Sequence, residues 1–135
     1  MITKNRTEDL EGIKQTVLDY IEAWYQGDPE RGEKALHPDL AKRIVRSDKQ
    51  SGRDRLENMS AAFLMERWRS GQGKETPADR QKKEITLLDI HGKIASVKLE
   101  TGAWVDYIHL AKFDGQWVIV NILWELNRHV PSSGT

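Results

Sequence analysis

The sequence predicts an α+β domain in which a highly curved antiparallel β-sheet wraps around helices, and three observations carry that expectation. The first half of the chain repeats apolar residues at three- and four-residue steps, the period of a helix with one buried face. Between Glu84 and Leu126, four short runs instead alternate apolar and polar residues, the period of strands. His91-Gly92, Thr101-Gly102 and Asp114-Gly115 separate these runs where turns are needed.

The first helix is marked by an apolar stripe of Leu10, Ile13, Val17, Tyr20, Ile21 and Trp24. Thr7 is its expected N-cap, Glu8, Asp9 and Glu11 place negative charge at the positive end of the dipole, and Gly27 stops it. Asp28 caps a second, short helix with Pro29 at its first position, and His37-Pro38 ends it. A third helix is expected from about Asp54 to Arg69. Asp54 and Glu57 have capping-box spacing there, Leu56, Met59, Phe63 and Leu64 supply an apolar face, and Gly71 and Gly73 follow. Between helices two and three, Leu40 to Asp48 reads as a short edge strand centred on Ile44-Val45. Residues 69–84 are polar and rich in Gly, Pro and charge, which predicts a mobile surface loop, either a cover for a pocket mouth or a solvated linker.

Along the strands, Ala95, Val97 and Leu99 alternate with Ser96, Lys98 and Glu100, giving one dry and one wet face. The last two strands differ. In the run 104–113, Trp104, Ile108 and Leu110 occupy one face while Val105, Tyr107, Ala111 and Phe113 occupy the other, and the run 117–126 repeats the arrangement. A sheet apolar on both faces must be covered twice. Helices one and three can cover one side, so a second subunit is expected on the other and the chain is predicted to be a homodimer through the sheet.

Composition narrows the function classes. The chain has 135 residues, enough for one domain with its own core, and is read as a single domain over 1–135 with flexible tails at about 1–6 and 128–135. Twenty-one basic and twenty-one acidic residues give zero formal charge, so neither nucleic acid nor an anionic membrane is an expected partner. Cysteine is absent, which removes thiol catalysis and thiolate metal sites. The N-terminus has no signal-peptide core and no stretch approaches the roughly 18 apolar residues of a membrane span, so a cytoplasmic protein is expected. The four histidines lack zinc-helix spacing and no serine sits in a nucleophile elbow; no metal and no cofactor are expected.

Three segments together carry a family resemblance: YIEAWYQGDPE at the end of helix one, ALHPD after helix two, and VDYIHLAKFDGQWVIVNILWE across the last hairpin. They resemble the nuclear transport factor 2-like superfamily, a cystatin-like α+β cone, and within it the small bacterial proteins known as lumazine-binding or SnoaL-like domains. The resemblance implies three N-terminal helices packed on a highly curved antiparallel sheet, with a pocket inside the cone. The superfamily spans isomerases, cyclases, dehydratases, dioxygenase subunits and transport adaptors, so the fold leaves the activity open.

Ketosteroid isomerase, one of those relatives, uses a carboxylate base with a tyrosine and a protonated aspartic acid that bind an oxyanion. By that resemblance Tyr20 takes the place of the helix-one tyrosine and His109 falls near the second oxyanion donor. The base is missing, since Val45 stands near its expected place and Asp48 three residues beyond, and isomerase chemistry is not expected. Tyr20 also fits a core tyrosine, and His109 a hydrogen-bonded strand residue. Asp106 should face away from His109 and pair with a lysine or loop amide at the dimer interface. His37 suits a helix C-terminus; His91 belongs to a turn and His129 to the tail. Of the five tryptophans, Trp24, Trp104, Trp117 and Trp124 are candidates for pocket walls, core or interface. Lys42, Arg43, Arg46, Lys49, Arg53 and Arg55 form a basic patch that either attracts an anion or is a solvated face.

Two functional readings follow. One is a small-molecule binding protein, or weak enzyme, using a cone pocket formed by Tyr20, Trp24, Met59, Phe63, Tyr107 and His109 around an apolar or aromatic ligand. The other is a non-catalytic homodimeric interaction module whose cone is filled by side chains. An accessory subunit of a larger oxygenase or cyclase follows by analogy alone.

Overall fold

Helix α1 (Lys4–Gln26) is the longest element and buries Ile13, Val17, Tyr20 and Ile21 of the predicted stripe with Trp24 partly buried, whereas Leu10 is exposed and Thr16, Ala23 and Tyr25 are buried beside the stripe. The computed structural model describes residues 4–127. The remaining tail positions and His129 lie outside the described residues, while 4–6 already belong to α1. The helix therefore begins before Thr7, which is an interior residue rather than a cap. It stops where expected: Gly27 adopts φ 64° and the Asp28 amide bonds back to the Ala23 carbonyl at 2.9 Å. Asp28 then caps α2 (Pro29–Glu33), accepting from the Arg31 amide at 3.1 Å.

Helix α2 ends at Glu33, and His37-Pro38 lies in the next strand. His37 is thus not at a helix end; its Nδ1 accepts from the Asp39 amide and its ring lies 5.1 Å from that of Phe113. The strand, β1 (Leu36–Ser47), is twelve residues long and is not an edge. It pairs antiparallel with β2 (Asp54–Met59) and parallel with the last strand. Here the expected third helix is corrected in its first half. Asp54 and Glu57 have capping-box spacing, yet the Asp48–Gly52 turn folds their segment back onto β1, pairing Val45 with Leu56 and Lys42 with Met59. Inter-strand pairing overrides a local spacing signal. Helix α3 (Ala61–Arg69) starts only after Ser60, whose hydroxyl accepts from the Phe63 amide at 3.1 Å.

Residues 69–84 contain two short 3-10 turns, Gln72–Glu75 and Ala78–Arg80, and pack on α1. A Cβ on Gly73 would stand 2.1 Å from the Trp24 carbonyl oxygen, so only glycine permits this approach. The Tyr25 hydroxyl donates to the Lys82 carbonyl at 2.7 Å. Burial raises the Tyr25 pKa from 10.0 to about 12. The folded state therefore holds a proton that the unfolded state loses above pH 10, so this contribution is intact below pH 10 and lost as pH rises towards 12. The expected loss is about 1.4 kcal/mol per pH unit, measured by urea titration across that window. Tyr25→Phe should flatten the alkaline slope; an unchanged slope would refute this origin.

The four predicted strands follow as β3 (Glu84–His91), β4 (Ile94–Glu100), β5 (Trp104–Phe113) and β6 (Gln116–Leu126). They complete one curved six-stranded sheet in the order β2-β1-β6-β5-β4-β3. The β5–β6 turn places Asp114 and Gly115 at φ 49° and 82°, the left-handed pair that a tight hairpin demands. Thr101 closes the β4–β5 turn by accepting from the Ala103 and Trp104 amides. One face of the sheet, with Val97, Leu99, Ile108, Leu110, Ile119 and Ile122, is buried in the core with α1 and α3. Among the described residues, no helix is long and apolar enough to cross a membrane.

Candidate functional site

Strand alternation decides what faces the interior of the cone. On β1, Leu40, Lys42 and Ile44 are buried and Arg46 is half-buried, while Val45 is 56 % exposed on the other face. On β5 the inward set is Trp104, Asp106, Ile108 and Leu110. On β6, Ile122 and Trp124 face inward, and Asp106 is the register partner of Trp124. Where helices α1 and α3 leave the sheet uncovered, these residues enclose a cavity of about 380 Å³. Its walls are Tyr20, Ile21 and Trp24 from α1, Phe63, Leu64, Arg67 and Trp68 from α3, Met59 and Glu57 from β2, and Lys42, Arg46, Trp104, Trp124 and Leu126 from the other strands.

Two ionisable side chains of the cavity lining, Lys42 and Tyr20, are bonded in a chain to a third, Asp106, that lies behind them. Lys42, 7 % exposed, donates from Nζ to the Tyr20 hydroxyl at 2.7 Å. Tyr20 in turn donates to Asp106 Oδ2 at 3.1 Å, and the same oxygen accepts from Trp104 Nε1 at 3.0 Å. Asp106 is wholly buried, and its Oδ1 has no hydrogen-bond partner among the described residues. Trp124 Nε1 is likewise buried and unpartnered. The lysine reaches Asp106 through the tyrosine rather than by a direct ion pair.

Desolvation sets the electrostatics of all three groups. Burial pushes the Tyr20 hydroxyl well above its ordinary pKa, and the neighbouring Asp106 charge adds to the shift. Burial also pushes Asp106 up, against the opposing pull of Lys42 and the bonds from Trp104 and Tyr20. Lys42 is pushed down by burial, with Asp106 pulling the other way. Burial thus favours the neutral amine at Lys42 and the neutral hydroxyl at Tyr20, while at Asp106 two donated bonds and the lysine oppose its effect.

Aromatic rings form the walls. Trp24 meets Trp104 edge-on at 6.1 Å, and Tyr20 meets Trp68 edge-on at the same distance. Lys42 Nζ lies 5.1 Å from the Trp124 ring centre. At the mouth, Arg46 stacks on Trp124 and pairs with Glu57, while Arg67 stacks on Trp24 at 5.6 Å. Phe63 and Leu126 are the exposed apolar rim, at 48 % and 56 %.

Of the six predicted pocket residues, Tyr20, Trp24, Met59 and Phe63 come together around this cavity. Tyr107 and His109 do not: they lie on the opposite face of β5, where Tyr107 is 48 % exposed and His109 Nδ1 is 3.2 Å from Asn121 Nδ2. Asp106 takes the inward place instead, and it finds its lysine inside the cone rather than at an interface. Trp104 and Trp124 line the cavity, whereas Trp117 is buried elsewhere and donates to Asp9 at 3.1 Å. In the basic patch, Lys42 and Arg46 belong to the cavity. The sign that could have found Lys42 is its place in Leu40-Lys42-Ile44, a charged residue on the dry face of an alternating strand. Asp48 serves the β1–β2 turn, accepting from the Gln50 amide and the Ser51 hydroxyl. None of residues 70–84 lines the cavity. Among the described residues, no three His, Asp or Glu side chains are grouped to hold a metal ion.

The tyrosine hydroxyl answers to both structure and cavity, since it bonds two buried partners and lines the pocket. Tyr20→Phe should therefore cost about 1–3 kcal/mol in urea unfolding, because Lys42 and Asp106 each lose a partner. A change within a few tenths of a kcal/mol would show that the three side chains are not bonded as described.

Comparison with known proteins agrees with this architecture. No curated protein matches the sequence. Among solved structures, a protein of unknown function from Silicibacter pomeroyi, described as NTF-2 like, superposes with a TM-score of 0.66 at 16% identity, covering 90% of this chain and 98% of its own. An NTF2-like protein with a cystatin-like fold from Novosphingobium aromaticivorans gives 0.65 at 13% identity, with 96% and 93% covered. An NTF2-like protein of unknown function from Methylobacillus flagellatus gives 0.59 at 25% identity, with 88% and 92% covered. These likenesses establish the nuclear transport factor 2-like fold. The profile of the family described as "Putative lumazine-binding" matches residues 8–125, nearly the whole described chain, and the protein belongs to that family.

Proposed function

We propose that the protein binds a small, flat, largely apolar molecule in the cone cavity, with an acceptor oxygen of the ligand directed at Lys42. The observation that carries this reading is the buried lysine at the floor of an aromatic-walled cavity, bonded to one hydroxyl and forming no direct carboxylate pair among the described residues. A lysine nitrogen bonded to one hydroxyl has further N–H groups to place, and a core that only needed filling would be better served by an apolar residue. The unpartnered Trp124 Nε1 offers a second donor, and Arg67, stacked on Trp24, places a guanidinium at the mouth beside the Arg46–Glu57 pair. The family description names lumazine, a planar bicycle with ring carbonyl oxygens, which belongs to this chemical class.

A thermal-shift screen against pteridines, flavins and other planar metabolites tests the reading. A ligand at a hundred times its Kd should stabilise the fold by about 2.7 kcal/mol. The shift should vanish in Lys42→Met while Tyr107→Ala, on the other face, keeps it. No shift with any planar compound would move the weight to a filled, non-binding cone.

For the partner, the outer face of the sheet supports a second copy of the chain. Val45, Tyr107 and Leu123 are each about half exposed, with Tyr107 and Leu123 register neighbours at the centre of the face. Ile94 and Phe113 extend the apolar surface towards the other end. A patch centred on the sheet can meet itself about a two-fold axis, the usual symmetry of small homo-oligomers. Light scattering should give twice the chain mass, and Leu123→Asp should give the monomer mass. A monomer for the unmodified protein at micromolar concentration would overturn the dimer.

A further inference from the structure

We propose that Lys42 is a nucleophilic amine that captures a carbonyl compound in the cone cavity as a covalent imine, with Tyr20 and Asp106 moving the protons. This rests on the binding reading above and names the reactive class of ligand within it: a planar aldehyde or ketone.

The geometry supplies three requirements. The first is an amine that reaches the ligand: Lys42 is the lysine of the cavity lining, held on the β1 strand and flanked by Trp124. The second is a nitrogen with an available lone pair. A persistently charged, buried ammonium is normally matched by a carboxylate in direct contact. Lys42 instead contacts a neutral hydroxyl, and Asp106 lies one group further on. Burial favours the neutral amine in the same direction. Surface lysines such as Lys82, Lys83 and Lys98 instead each sit directly against a glutamate. The third is a proton carrier at the nitrogen, and the Tyr20 hydroxyl stands 2.7 Å away with Asp106 behind it.

The reaction balances without an external oxidant or reductant. The Lys42 lone pair adds to the carbonyl carbon, forming the C–N bond while the carbonyl π pair moves to oxygen. Tyr20 Oη accepts the proton that nitrogen sheds as its own proton passes to Asp106. Reversal of that relay delivers a proton to the new alkoxide, giving the carbinolamine. The C–O bond then breaks, oxygen leaves as water with the remaining N–H proton carried to it through the Tyr20–Asp106 pair, and the nitrogen electron pair closes the C=N bond. The sum is one carbonyl and one primary amine giving one imine and one water. The unpartnered Trp124 N–H is a further donor in the same cavity wall for the oxygen as it gathers charge.

Trapping tests the proposal on the full-length protein. It is incubated with 2-naphthaldehyde and sodium cyanoborohydride, which reduces the imine to a secondary amine, and then analysed by intact mass and peptide mapping. The expected result is one predominant adduct, heavier by the aldehyde less one oxygen atom, on the peptide containing Lys42. Lys42→Arg, which keeps a cation but cannot form the imine, and Lys42→Met should both lose it; Tyr20→Phe should slow it by about 100-fold, the scale of a lost proton-transfer group. Circular dichroism verifies that each variant is folded. 2-Naphthylmethanol, which fits the same space without a carbonyl, separates the two claims. If it raises Tm while Lys42 is unlabelled, or is labelled no faster than surface lysines, the imine is overturned and binding stands. If neither compound shifts Tm and Lys42 is unlabelled, both fail.

Discussion

Asp106→Ala should lower stability by about 3–5 kcal/mol, an effect on the scale of breaking a buried ion pair by removing one partner. Three groups lose their counterpart at once: the Tyr20 hydroxyl, Trp104 Nε1 and, one bond further, the Lys42 amine. Little solvent reaches the Tyr20–Lys42 pair to replace the carboxylate, because Lys42 and Tyr20 are 7 % and 3 % exposed. The companion experiment is the double variant Asp106→Ala with Lys42→Met. With the amine also gone, one of the groups left without a counterpart is removed, and the double should cost less than the sum of the singles by about 0.5–3 kcal/mol. Urea unfolding of the four proteins in the cycle measures this. A single-variant loss below about 1 kcal/mol, or strict additivity, would show that Lys42 and Asp106 do not share one network.

That network also marks where the sequence stops being legible. Periodicity exposes the α1 stripe, and turn chemistry at Gly92, Thr101 and Asp114-Gly115 exposes the meander, because both are local effects of backbone geometry. The strand state of Asp54–Met59 is hidden for the opposite reason. Its strand state depends on pairing with Lys42–Ser47, and its own residues have no strong strand alternation. The cavity suffered from a further ambiguity: period-two alternation separates the two faces of β5 but does not say which face the helices cover. Tyr20, Trp24, Met59 and Phe63 were recoverable, since the resemblance places the cone interior beside helix one and the following helix. His109 and Asp106 differ only in parity, and the charged residue took the inside because Tyr20, Trp104 and Lys42 together satisfy one of its oxygens and offset its charge. A carboxylate without those three partners would not be tolerated there. Partner sets of this kind join residues 20, 42, 104 and 106, which no window of sequence contains.

Trp68→Ala should cost about 3–5 kcal/mol as well, through packing rather than charge. Trp68 is 3 % exposed, and its ring occupies the space over Gly32 so fully that a Cβ there would come within 2.2 Å of it. It therefore locks α3 onto α2 while its ring stands nearly perpendicular to that of Tyr20. Removal leaves a void that the two helices can close only by shifting together, and any such shift carries Phe63 and Arg67 with it, because they stand on the same helix. Ligand affinity should thus fall with stability even though Lys42, Tyr20 and Asp106 are untouched. Trp68→Phe separates the effects: partial filling should recover part of the stability and keep the aromatic edge against Tyr20. If Trp68→Ala destabilised the fold yet left the affinity of a planar ligand unchanged, the α3 wall would not be shaping the site, and binding would have to rest on the strand residues Lys42, Trp104 and Trp124 alone.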